Sequence, residues 1–208
     1  MTAPAGVVDL SLPDYSTLVA RAGVDPRAEA ARVAGADPGT VAGAGALLGR
    51  AGGEMDGAYT RSLGAADTLG RAFTNAGAPV LDRATHVGNL PAGFGDAGAR
   101  LAGTSRRVGA VADDLTATMR QTADAVTGLD GDLSAAASAW AARVAAAGTE
   151  GGLIPQEAIP ALLAERDRIA TQMAGLVSAA GRRVVERIRG YEVVVNDCLL
   201  YTSPSPRD

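Results

Sequence analysis

Apolar positions recur every seven residues over two long stretches of the chain, and that spacing predicts helices laid side by side. In the first stretch Val41, Leu48, Met55, Ser62 and Leu69 form one series, and Gly52, Tyr59, Ala66 and Phe73 form a second. Together they place a stripe on one face of a helix over residues 38–74, about 55 Å long if unbroken. In the second stretch Leu101, Val108, Leu115, Thr122, Leu129 and Ala136 interleave with Ser105, Ala112, Met119, Val126, Leu133 and Trp140. A strand cannot use such a period, because its side chains alternate every two residues.

Punctuation residues divide the rest. Asp25-Pro26 and Asp37-Pro38 each set a carboxylate cap before a proline at the first helical position, where its missing N–H costs nothing. Short helices are expected from Pro13 to about Ala22 and from Pro26 to about Ala34. Asn75-Ala-Gly77-Ala-Pro79 breaks the pattern, and the region through Asn89-Leu90-Pro91-Ala-Gly93 reads as a connection with one short helix near Val80 to Val87. Gly148 to Gly152 reads as a loop. Pro155 and Pro160 open a final helix whose face carries Leu162, Ile169, Met173, Leu176, Ala180, Val184 and Ile188, ending near Gly190. Tyr191-Glu-Val-Val-Val195 has strand-like composition and fits either the start of a further domain or a frayed helix end.

The first long helix holds eight glycines between Gly43 and Gly70. At about 1 kcal/mol each relative to Ala they exclude a free-standing helix. They permit close backbone approach, so this helix is expected to pack on a partner through Ala and Gly contacts. Only 3% of residues are aromatic, which calls for a thin, layered core. The expected fold is all-α, an elongated antiparallel helical bundle with coiled-coil-like long helices. Its divisions are residues 1–36 (short helices), 37–148 (a long helical hairpin), 149–197 (a third helix and the start of a further region) and 198–208.

The last segment differs in kind. Cys198 to Asp208 contains neither Ala nor Gly, whereas the preceding chain is rich in both. It resembles the in-frame translation of a transposase-end sequencing adapter, which makes the native portion a fragment ending at Asp197. That portion has no cysteine, which removes disulfides, thiol catalysis and Cys-based metal sites. Every basic residue is Arg, and the net charge of −4 comes without a basic stripe. Nucleic acid is therefore not an expected partner. The N-terminus lacks the pattern of a secretory signal peptide. Uncharged stretches such as Pro38 to Gly49 and Ile169 to Gly181 fall short of the roughly 18 residues of a transmembrane segment. A cytoplasmic protein follows, or one that leaves the cell by a leaderless route.

Candidate chemistry is sparse. His86 lies without Cys or clustered carboxylates nearby in sequence and makes no recognisable metal site. Gly43-Ala-Gly45-Ala-Leu-Leu-Gly49 misses dinucleotide-binding spacing by one residue and follows no strand. Asp113-Asp114 and Glu165-Arg166-Asp167 stand beside Arg106-Arg107 and Arg166/Arg168 as solvated helix faces. No nucleophile elbow, P-loop or zinc-protease motif occurs. No catalytic, cofactor-binding or metal-binding residue is assigned, and no cofactor is expected. The assigned residues are helix-packing positions: Leu101, Val108, Leu115, Met119, Val126, Leu129, Leu133, Trp140, Tyr59 and Phe73. Trp140, a large side chain among alanines, anchors either the core or another chain.

Several segments carry a family likeness. Pro13-Asp14-Tyr15 leads into Ala22-Gly23-Val24-Asp25-Pro26, and the long helices contain Gly52-Gly53-Glu54-Met55 and Leu90-Pro91-Ala-Gly-Phe94-Gly-Asp96-Ala97-Gly98-Ala-Arg100-Leu101. Over roughly residues 10 to 190 the chain resembles the N-terminal helical region of actinobacterial type VII secretion-associated proteins. There a domain similar to the WXG100/ESX hairpin precedes a hydrolase or toxin domain. The resemblance implies a non-catalytic targeting or assembly module, an N-terminal piece of a larger effector or hydrolase. Its implied partner is a small helical protein or a component of the secretion apparatus. Two alternatives stand beside it. One is a stand-alone structural coiled-coil protein that self-associates as a homo-oligomer. The other is the helical region of an enzyme whose catalytic domain lies outside this sequence.

Overall fold

The computed structural model describes residues 8–74, 81–148 and 153–200, with the side chains of 72–90 and 199–200 outside the described set. The fold is all-α, with no strand among the described residues. Helices α1 (Tyr15–Ala22), α2 (Pro26–Ala34), α3 (Pro38–Thr74), α4 (Leu81–Ala147) and α5 (Ile159–Leu200) follow one another, with a short 3-10 turn at Gln156–Ala158 before α5.

Local chemistry sets the boundaries. Helix α1 starts at Tyr15 rather than Pro13 because Asp14 is its cap, accepting the backbone N–H of Thr17 at 2.8 Å. It stops at Gly23, whose φ of 73° only glycine adopts without cost, and whose N–H reaches the Val19 carbonyl at 2.9 Å. Asp25 caps α2 through the Arg27 N–H. Asp37 accepts the N–H groups of Gly39 and Thr40 at the start of α3.

Two expected breaks do not occur. The connection expected over residues 75–93 is helical from Leu81 onward, and Pro91 lies inside α4. A proline removes one backbone hydrogen bond, and a helix of 67 residues retains the rest. Residues 75–80 lie outside the described set, as do the side chains of Phe73 and His86. Helix α5 does not end near Gly190 but continues through Tyr191–Val195 to Leu200. Gly23 is the one glycine with positive φ among the described residues, so Gly190 keeps helical geometry and provides no stop. The β-branched valines cost only tenths of a kcal/mol in helix propensity, too little to end an established helix. Cys198 continues α5, and residues 201–208 lie outside the described set.

The chain divides into two compact units. Unit 1 comprises residues 1–35 and 117–190, and unit 2 comprises residues 36–116 and 191–208. Unit 1 thus takes α1, α2, the later part of α4 and most of α5. Its main core gathers Leu18, Leu129, Trp140, Leu162, Ile169, Met173, Val177 and Ala180. A second cluster joins Val33 of α2 to Val184 and Ile188 of α5, with Ala30, Met119 and Ala125 against it. Unit 2 pairs α3 with the earlier part of α4 and adds the end of α5. No helix among the described residues is long and apolar enough to cross a membrane.

Candidate functional site

The densest side-chain chemistry lies in unit 1, where the segment before α1 and the α1–α2 corner meet α4 and α5. Trp140 is 5% exposed and donates its indole N–H to the Leu10 carbonyl at 2.9 Å. One residue earlier, the Asp9 carbonyl accepts from the Arg166 guanidinium at 2.7 Å. Leu10 and Leu12 pack on the main core between these anchors. Trp140 therefore acts as an internal clamp on the N-terminal segment, satisfying the N–H that burial would otherwise leave unpaired.

Beside it is a polar corner that no heptad marks. The Tyr15 O–H donates to Asp25 Oδ1 at 2.8 Å, while the same oxygen caps Arg27. The Arg27 guanidinium lies 3.9 Å from the Tyr15 ring centroid and pairs with Asp130 of α4. Burial, then the hydrogen bond to Asp25, pushes the Tyr15 phenol from 10.0 up to about 12. Burial raises the Asp25 carboxyl most strongly, but the Tyr15 O–H, the Ala28 and Arg27 N–H groups and the Arg27 charge together outweigh it and hold Asp25 below the usual carboxylate range. Next to this corner runs a groove of about 400 Å³ between α2 and α4, lined by Ala30, Ala31, Ala34, Met119, Val126 and the Arg27–Asp130 pair, among others. It offers methyl groups and one ion pair, which suits an apolar side chain and supplies no nucleophile.

The assigned packing residues fall into three places. Leu129, Leu133 and Trp140 share the main core of unit 1. Met119 reaches the second cluster, and Met119 and Val126 line the groove. Leu115, in unit 2, is 3% exposed. Leu101, Val108 and Tyr59 belong to the α3–α4 contact of unit 2. A Cβ on Gly45 would stand 3.3 Å from the Ser105 carbonyl oxygen and 3.4 Å from Val108, and one on Gly52 would meet the Gly98 carbonyl at 3.2 Å and Leu101 at 3.4 Å. The Tyr59 ring covers Gly95 at 3.5 Å by the same measure. Ser105 donates to the Gly45 carbonyl at 2.8 Å. Close approach therefore explains Gly45, Gly49 and Gly52, while Gly43, Gly53, Gly64 and Gly70 face open space.

Of the carboxylates suggested by sequence, Glu165 and Asp167 are occupied structurally. Glu165 pairs with Arg168, and Asp167 with Arg166, on the surface of α5. The Arg168 hydrogen bond holds Glu165 below its usual range, the reverse of what a general acid needs. No three His, Cys, Asp or Glu side chains among the described residues converge as a metal site would require.

No curated protein and no solved structure matches the chain. One family model does, that of the hydrolase N-terminal helical domain, over residues 9–199. This finding corrects the assignment to WXG100-like type VII secretion proteins, since the matching model belongs to a different family. The likeness to secretion proteins rested on Ala/Gly-rich helical texture, which long helices with close backbone contacts share whatever their family. The match takes in all five helices described above, and the chain belongs to the hydrolase N-terminal helical domain family.

Proposed function

We propose that this chain is the non-catalytic helical region of a hydrolase, whose catalytic domain follows α5. The observation that carries the reading is the match to an N-terminal helical domain of hydrolases over residues 9–199. The side chains support it. Asp14, Asp25 and Asp37 cap helices, and Glu165 and Asp167 sit in exposed ion pairs. The one deeply placed tryptophan clamps the chain's own N-terminal segment. These are the tasks of a scaffold. The partner of such a scaffold is the hydrolase domain of the same polypeptide, in place of a separate small helical protein.

The test compares the full-length gene product with the 208-residue chain on chromogenic ester, amide and phosphate substrates. Turnover is expected from the full-length protein alone. Turnover by the 208-residue chain would overturn the non-catalytic assignment. A reading frame with no hydrolase sequence after α5 would overturn the reading as a whole.

A further inference from the structure

Unit 1 is assembled from two pieces of chain, residues 1–35 and 117–190, with residues 36–116 running between them through unit 2. The first piece is an arm that comprises, among its described residues, the segment from Val8 onward, α1 and α2. Its packing runs to the second piece. Leu18, 1% exposed, enters the main core with Met173 and Val177, and Val33 joins Val184 and Ile188. Directional contacts fix how the arm sits. Trp140 donates to the Leu10 carbonyl, Arg166 donates to the Asp9 carbonyl, Arg27 pairs with Asp130, and Val24 lies against Gly181. The joint that carries this arm is short and held only locally. Gly35, Ala36 and Asp37 separate α2 from α3. Gly35 gives its N–H to Val33, and Asp37 caps Gly39 and Thr40. A Cβ on Gly35 would meet nothing within 4 Å, so no neighbour confines the backbone there. Pro38 keeps α2 and α3 from fusing, because the residue before a proline is biased towards extended geometry.

We infer that two copies of this chain exchange their arms, α1 and α2 of each seating on the later part of α4 and on α5 of the other. The occupant of that face is the one the structure already seats there, supplied by a second copy. The arm's partners all lie in residues 117–190, which are joined to it only through unit 2. A second copy therefore presents the same core positions, the same indole and guanidinium donors and the same Asp130. Exchange keeps every contact of the arm and changes only the joint, where the bonds of Gly35 and Asp37 reach no other element. What opposes exchange is the entropy of bringing two chains together. A tethered arm competes for its own site at an effective concentration in the millimolar range, so exchange shows when the protein itself approaches about 1 mM.

The experiment uses the 208-residue chain with Cys198→Ser, which removes its one cysteine. Arg27→Cys and Asp130→Cys change two exposed side chains that face each other across the arm, so both variants keep the core. The two are mixed at about 1 mM, warmed to just below the melting temperature, cooled, diluted and treated with a short bis-maleimide. Exchange joins position 27 of one chain to position 130 of the other. The yield should be on the order of tenfold above that from Arg27→Cys mixed with Leu153→Cys, an exposed position past the end of α4. A yield equal to that control overturns the exchange. Closing the two thiols of the double variant Arg27→Cys/Asp130→Cys in dilute solution locks the arm onto its own chain. Sedimentation should then find dimer in the warmed parent and monomer in the locked variant. A parent that stays monomeric at about 1 mM, or a locked variant that dimerises as the parent does, also overturns the proposal.

Discussion

The Tyr15 hydroxyl is bonded to Asp25 Oδ1 at 2.8 Å, across the corner between α1 and α2. The pair ties folding to pH at both ends of the scale. Tyr15 titrates near 12 when folded and near 10.0 when unfolded, so the folded state holds this proton more tightly. Its contribution to stability is complete below about pH 10 and is lost as pH rises towards about 12. Asp25 is shifted the other way, so its contribution is present at neutral pH and is lost as pH falls through its lowered folded value. Chemical denaturation from pH 9 to pH 12 should show the alkaline loss in the parent and a flatter profile in Tyr15→Phe. Parallel profiles would remove Tyr15 from the account.

Trp140 is the sole tryptophan in the chain, which makes its clamp on Leu10 measurable by fluorescence. Replacing it with Phe keeps most of the packing and loses the bond to the Leu10 carbonyl, a cost of about 0.5–1.5 kcal/mol. Trp140→Ala should cost about 3–5 kcal/mol through the cavity it leaves. Thermal melts followed by circular dichroism rank the two variants. Parent emission should be blue-shifted and move red on unfolding. A red emission from the native state would contradict a buried indole.

Two glycines in unit 1 should respond to alanine with opposite sign. A Cβ on Gly181 of α5 would fall 2.3 Å from Val24 Cγ1, whereas one on Gly128 of α4 meets nothing within 4 Å. Gly181→Ala should destabilise by about 1–3 kcal/mol as Val24 is pushed aside. Gly128→Ala should stabilise by up to about 1 kcal/mol through helix propensity. Equal effects in denaturant titrations would mean that the α1–α2 corner does not close on α5 as described.

Aspartate at two heptad positions should grade with burial. Leu115 is 3% exposed while Leu133 is half-buried at the edge of the main core. Leu115→Asp buries a carboxylate without a partner and should cost more than about 4 kcal/mol. Leu133→Asp can turn its charge to solvent and should cost about 1–3 kcal/mol. Retained helical circular dichroism with an unchanged melting temperature in Leu115→Asp would remove that residue from the core.

How much of this was readable in the sequence depends on the range of the interaction. Caps and prolines placed α2 and the start of α3 because both signals act within one turn. The seven-residue repeat identified long helices, and α4 buries Leu115 and Leu129 along its stripe. Pro91 and Gly190 carry boundary signals yet lie inside α4 and α5, because local preference is worth a few kcal/mol at most, less than a long helix gains from its neighbours. The Arg27–Asp130 pair spans 103 residues. Nothing in either residue's surroundings names the other. Val177, fully buried, escaped because it adjoins Leu176 in an apolar run where the period alone does not say which residue points inward. Family identity was the least legible. Ala/Gly-rich composition reports how closely helices pack and says little about which protein they serve.

The division of unit 1 between the two ends of the chain bears on its birth at the ribosome. The Leu10 carbonyl waits for a donor 130 residues downstream, and the Asp9 carbonyl for one 157 residues downstream. At a translation rate of about 5–20 residues per second, the nascent N-terminal segment spends roughly 8–30 s without its anchors. Through that interval Leu10, Leu12 and Leu18 have no core to enter, while α3 and the first part of α4 emerge and pair locally. Unit 1 can close only when α5 leaves the exit tunnel. A stalled or truncated translation product would therefore carry a bare apolar leader, the kind of segment that chaperones bind.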